Sequence, residues 1–130
     1  MRTHFILYVA DQKRSASFYA SALGLSPTLD VPGMTEFRLG VDSILGLMPE
    51  AGVVRLFQGR FEYPSSAPRI PRAELYLIVD DAAACHARAV GAGAKEISPM
   101  ADRDWDHRAA YSLDPDGHVL AFAEEIDQSV

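Results

Sequence analysis

HFILYVADQKRSASFYASALG, residues 4–24, is followed at an offset of 70 positions by ELYLIVDDAAACHARAVGAGA, residues 74–94. The two stretches share a plan. Each opens with an apolar run of strand character, reaches Val9 or Val79, then Asp11 or Asp81, and then changes to helical spacing. The aspartates stand where a helix N-cap belongs, because a short acidic side chain accepts from the free N–H groups of the first turn. Ser15, Tyr19, Ala22 and Leu23 share one face of the first helix, and Cys85, Ala89 and Ala92 take the equivalent places in the second. Gly24 and Gly93 mark the two helix ends.

Short strands follow each helix. The first half predicts them near 27–31, 34–39 and 43–48, with Pro32-Gly33 and Gly40-Val41-Asp42 as the turns. The second half predicts 94–98, 107–113 and 118–124, the last two joined through Asp114-Pro115-Asp116-Gly117. Strand, helix and three strands are thus written twice. This is an α+β fold of paired βαβββ modules, 1–50 and 72–126, in a single domain of 130 residues. The segment 51–71 between them ends PSSAPRIP, and its prolines suit a linker better than a central strand.

The last strand alternates in a telling way. Val119, Ala121 and Ala123 share one face, while Leu120, Phe122 and Glu124 share the other. One face is large and apolar, and the other is nearly bare.

Composition narrows the function classes. Hydrophobic residues make up 48%, an ordinary globular share. No apolar run approaches the roughly 18 residues of a membrane span, so no membrane partner is expected. The start, MRTHFILYVADQK, turns polar too soon for a signal peptide and reads as a strand. The single cysteine, Cys85, has no internal partner, which points to a reducing, cytoplasmic location. On the apolar face of a helix its thiol behaves as a small hydrophobe. The net charge of −6 is unevenly placed: residues 1–70 carry seven basic against six acidic residues, and 71–130 carry five against twelve. With no basic patch interleaved with aromatics, nucleic acid is not an expected partner. The acidic half would attract a cationic ligand.

The paired modules, VADQKRSASFYASALGL (9–25) and WDHRAAYSLDPDGHVLAFAE (105–124) together resemble the vicinal oxygen chelate superfamily. That group holds glyoxalase I, extradiol dioxygenases, and fosfomycin and bleomycin resistance proteins. The resemblance implies curved mixed sheets with helices on the convex side and ligands on the concave side. On that reading His4, Ile6 and Tyr8 face the cavity from the first strand, Ile44, Gly46 and Met48 from the fourth, Glu74, Tyr76 and Ile78 from the fifth, and Ala121 from the last. Phe5, Leu7, Val9, Leu120 and Phe122 face the helices.

Metal-dependent members of such a family place donors at four strand positions, which carry over to His4, Gly46, Glu74 and Ala121. Only His4 and Glu74 have donor side chains, and catalytic metals usually keep three protein ligands. Glu124 and His118 have the wrong strand parity, His86 lies on a helix and His107 near a loop end. No metal or other cofactor is therefore expected, a divalent metal being the alternative. His4 and Glu74, repeat-equivalent positions, are the candidate acid–base or ligand-orienting pair.

What remains is a concave apolar pocket lined by Tyr8, Met48, Tyr76, Tyr111 and Ala121, with Trp105, Phe57 and Tyr63 placed to cover its mouth. The expected function is metal-free binding of a small aromatic or cationic molecule, as in antibiotic sequestration by the bleomycin resistance branch. The alternatives are a metal-dependent glyoxalase-type lyase or isomerase, a dioxygenase, or a metal-free enzyme using His4 and Glu74. By the same resemblance a homodimer is expected.

Overall fold

Asp11 and Asp81 set the frame. Asp11 Oδ1 accepts from the Arg14 backbone N–H at 3.0 Å, and Asp81 Oδ1 from that of Ala84 at 3.1 Å. Each cap starts a helix directly after the first strand of its half, which fixes where the chain leaves the sheet. The computed structural model describes residues 1–68 and 70–126. The elements run β1 (Thr3–Val9), α1 (Gln12–Leu23), β2 (Leu29–Val31), β3 (Met34–Gly40), β4 (Ser43–Pro49), α2 (Glu50–Leu56), a 3-10 turn (Pro64–Ser66), β5 (Glu74–Ile78), α3 (Ala82–Gly91), β6 (Lys95–Asp102), β7 (His107–Leu113) and β8 (Val119–Glu125).

The chain divides into two compact units: Met1–Ala20 with Gly24–Arg69, and Ser21–Leu23 with Ile70–Val130. The first holds a mixed sheet of order β1-β4-β3-β2, in which β1 is parallel to β4 and the other pairs are antiparallel. The second repeats this as β5-β8-β7-β6. The α+β fold of two βαβββ motifs is thus realised strand for strand.

In the first unit buried positions alternate on β1, with Leu7 and Val9, and on β3, with Thr35 and Phe37, whereas β4, between them in the sheet, is buried continuously from Ile44 to Leu47. Phe5 has the parity of Leu7 and Val9 but stays exposed near the strand's start. Gln12, the first residue of α1, locks the β2–β3 turn, donating to Val31 O and Thr35 Oγ1 and accepting from the Gly33 N–H. In the second unit Leu75, Ala110, Ser112, Leu120 and Phe122 are buried, and α3 lies against β7 and β8. Each fully buried Leu or Phe contributes roughly 1.5–3 kcal/mol. The Asp114 carboxylate accepts from the backbone N–H of both Asp116 and His118, and Gly117 takes the left-handed φ of 88° that closes the β7–β8 turn.

Two expectations need correction. The buried stripe of α3 is Ala82, His86 and Ala89, not the one containing Cys85. Cys85 is only half-buried, and its Sγ lies 3.5 Å from the Arg88 guanidinium. His86 is buried instead because Glu96 on β6 supplies a carboxylate at 2.8 Å from its Nε2. The segment 51–71 also does more than link: it carries most of α2 and the 3-10 turn.

Candidate functional site

The open face of the first sheet follows from register. Ile6 pairs with Gly46, Gly46 with Glu36, and Tyr8 with Met48, so these side chains share one face with His4 and Ile44. His4 has a carboxylate neighbour that the repeat does not point to. Its Nδ1 is 3.5 Å from Glu36 Oε2 on β3, two strands away in the sheet. That is long for a hydrogen bond and an ion pair only with a protonated imidazole. Gly46 is closed off. A Cβ built there would lie 3.2 Å from both Ile6 Cγ1 and Met34 Sδ.

Beside this face lies a cavity of about 710 Å³ whose walls include Tyr8, Val53, Phe57, Arg60, Phe61 and Tyr63. Backbone geometry makes it. After α2 the chain passes through Gln58 at φ 54° and Gly59 at φ 73°, while the Gly59 N–H bonds Val54 O at 2.9 Å. Two successive left-handed residues reverse the chain, and Phe61 comes back edge-on against Phe57 at 5.3 Å. The far wall is tied down by Glu50. This buried carboxylate, 6% exposed, accepts from the Ser65 N–H at 2.7 Å and the Ser65 hydroxyl at 2.8 Å. Charge-assisted bonds of this kind are about twice as strong as neutral ones.

The open face of the second sheet gathers Tyr76, Tyr111 and Ala121 in one register row across β5, β8 and β7. Trp105 reaches it from the β6–β7 turn, donating from Nε1 to Tyr76 Oη at 2.9 Å. His107, the first residue of β7, lies with Nδ1 2.7 Å from the same Oη, its ring stacked on that of Tyr76. Arg103 covers Tyr111 from 5.2 Å. Burial pushes the Tyr111 phenol up from its ordinary range; the Glu74 and Tyr76 charges add to this and Arg103 opposes it.

Of the residues picked from sequence, Tyr76, Tyr111, Trp105 and Ala121 therefore come together in the second unit. Tyr8 and Met48 are register partners in the first, where Tyr8, Phe57 and Tyr63 line the cavity. Ala121 is fully buried, so the surface offered there belongs to the tyrosines. Sequence reasoning missed Glu36, Arg103, Phe61 and the role of His107. Strand parity places Glu36 and His107 on the open faces, and that signal was present for both.

Residues 2–122 match the Glyoxalase/Bleomycin resistance protein/Dioxygenase superfamily model. The chain belongs to that superfamily. Its fold is similar to that of a glyoxalase-related enzyme from Fulvimarina pelagi, with TM-score 0.81 and 20% identity over 96% of this chain and 88% of the other. It is similar also to a protein of unknown function from Agrobacterium tumefaciens, with TM-score 0.79 and 24% identity over 97% and 95%. A lactoylglutathione lyase from Agrobacterium tumefaciens gives TM-score 0.68 and 18% identity over 95% and 92%. No curated protein matches the sequence.

Superfamily resemblance assigns metal donors to His4, Gly46, Glu74 and Ala121, and the residues present do not fit that set. Gly46 and Ala121 have no donor atoms, both are buried, and the space above Gly46 is taken by Ile6 and Met34. Among the described residues, no three His, Cys, Asp or Glu side chains gather as a metal site. No described helix is long and apolar enough to cross a membrane.

Proposed function

We propose that the protein binds a small planar aromatic molecule without a metal ion. The observation that carries this reading is the 710 Å³ cavity bounded by the rings of Tyr8, Phe57, Phe61 and Tyr63. Its size lies within the range of small-molecule sites, and aromatic walls favour flat, apolar ligands. Arg60 and Glu62 both border it, so one charge of each sign is present and neither a cation nor an anion is singled out. Sequestration of an aromatic antibiotic is one use of such a site. The incomplete donor set weighs against a metal-dependent lyase, isomerase or dioxygenase. We further propose a cytoplasmic homodimer, on the strength of the lone Cys85 and the superfamily resemblance; sedimentation at micromolar concentration tests the dimer.

The direct test uses N-phenyl-1-naphthylamine, an uncharged fluorescent aromatic. Saturable fluorescence enhancement is expected, weakened about tenfold in Phe61→Ala by loss of one stacking wall. Phe61 is 57% exposed, so the variant keeps its core. An absence of saturable binding, or an unchanged affinity in the variant, contradicts the proposal.

A further inference from the structure

The second unit holds a polar device that aromatic binding alone does not require. Trp105 is 48% exposed, and its indole is nevertheless held in place through Nε1 to Tyr76 Oη. Oη lies 2.7 Å from His107 Nδ1, and the Tyr76 and His107 rings stack with centroids 5.7 Å apart and planes 25° apart. The donor inventory narrows the order of protons to two arrangements. An indole N–H only donates, so Tyr76 Oη accepts from Trp105. Either the phenolic proton fills the short contact to His107, or an Nδ1–H donates to the second lone pair of Oη. In the first arrangement Nδ1 of the neutral imidazole is the acceptor, and the ring's own proton sits on Nε2.

We propose that Trp105 and Tyr76 set His107 as an Nε2–H donor for the carbonyl oxygen of a neutral, planar conjugated ligand lying against Tyr76 and Tyr111. A donor calls for an acceptor on the ligand. Glu74, on the same face of β5 as Tyr76 and close enough to bias Tyr111, disfavours an anionic one. Arg103 opposes Glu74 at Tyr111, and with its Nε and one terminal nitrogen engaged by Ser98 Oγ, Pro99 O and Ala109 O it does not present a free bidentate fork to an anion, so the pair leaves the site without a net charge to select an ion. The Tyr76 and Tyr111 rings, tilted 52° to each other, supply apolar flanks for a flat bicycle. This assignment is independent of the cavity in the first unit.

The probes are coumarin and 2H-chromene, the same bicycle with and without a ring carbonyl. Two-bond proton–nitrogen spectra of histidine-labelled protein read the tautomer directly. The expected result is His107 protonated at Nε2 in the free protein, with its Nε2 signal moved by coumarin and not by 2H-chromene. Tyr76→Phe removes the tautomer bias and weakens coumarin binding about fivefold, the worth of one hydrogen bond. His107→Gln, which keeps an N–H near the Nε2 position, retains coumarin binding that His107→Ala loses. A His107 proton on Nδ1, equal responses to the two probes, or no response to coumarin at millimolar concentration overturns the proposal. The wild-type spectra decide it even where a variant does not fold.

Discussion

Tyr76 and Tyr111 stand on strands that do not pair, yet their ring centroids are 6.4 Å apart. Both are register partners of Ala121 on the strand between them. Strands two apart in a sheet are about 10 Å from one another, so the rings lean toward each other above Ala121. The bare position is occupied by its neighbours. Any larger residue there has to push two aromatic rings aside. Ala121→Leu is expected to lower stability by about 1–3 kcal/mol through overpacking, read as a lower urea midpoint at unchanged m-value. An unchanged midpoint would mean that the space above Ala121 is open.

Gly46 has the corresponding place on β4, beneath Ile6 and Met34. Gly46→Glu places a carboxylate at a position to which the superfamily resemblance assigns a metal donor. The expected outcome is a destabilised protein, by about 1–3 kcal/mol from steric displacement, with no heat on titration with zinc or nickel. Tight metal binding by this variant would show that the face can open after all.

Tyr111 provides the pH test. Burial first, then Glu74 and Tyr76, hold its phenol above the ordinary value of about 10, with Arg103 pulling the other way. A raised folded-state value means that this contribution to stability is present below the unfolded pKa and is lost as pH rises through the folded one. Stability is therefore expected to fall with alkaline pH beyond about 10, and less steeply in Tyr111→Phe. Carbon-13 titration of the tyrosine Cζ signals should show Tyr111 moving further up in Arg103→Gln and down in Glu74→Gln. A Tyr111 that ionises below free tyrosine would contradict this electrostatic picture.

Glu50 is expected to govern the cavity without touching its contents. Its carboxylate ties the Ser65 backbone and hydroxyl to the start of α2. Glu50→Ala should cost about 1–3 kcal/mol as charge-assisted hydrogen bonds are lost, and Glu50→Gln less, since one acceptor remains. Both should weaken N-phenyl-1-naphthylamine binding in the same order. Equal affinity in all three proteins would place the probe elsewhere.

The sequence was most legible where local chemistry dictates geometry. Asp11, Asp81 and the 114–117 turn were readable because caps and Asx turns are made by nearest neighbours. Strand parity then assigned Tyr8, Tyr76, Ala121 and Gly46 to the open faces. It did not say how those faces are filled, since that depends on side chains from neighbouring strands. Glu36 beside His4, and two tyrosines leaning over one alanine, are relations across a sheet that no single-strand pattern carries. The stripe of α3 slipped by one residue because Glu96, distant along the helix pattern, gives His86 a reason to be buried. The 51–71 segment holds more structure than its linker reading for a similar reason. Its prolines signalled a connection, while the reversal at Gln58 and Gly59 and the Glu50–Ser65 tie turn it into a wall.

On the proposed reading this member of the superfamily works without a bound metal ion. This is tested most directly by elemental analysis of protein purified without chelator or affinity-tag metal. Far less than one zinc, nickel, manganese or iron per chain is expected, because only His4 and Glu74 of the four superfamily positions carry donors. About one metal per chain, surviving dialysis and lost in His4→Ala, would contradict the account and make the metal-dependent enzyme the better reading.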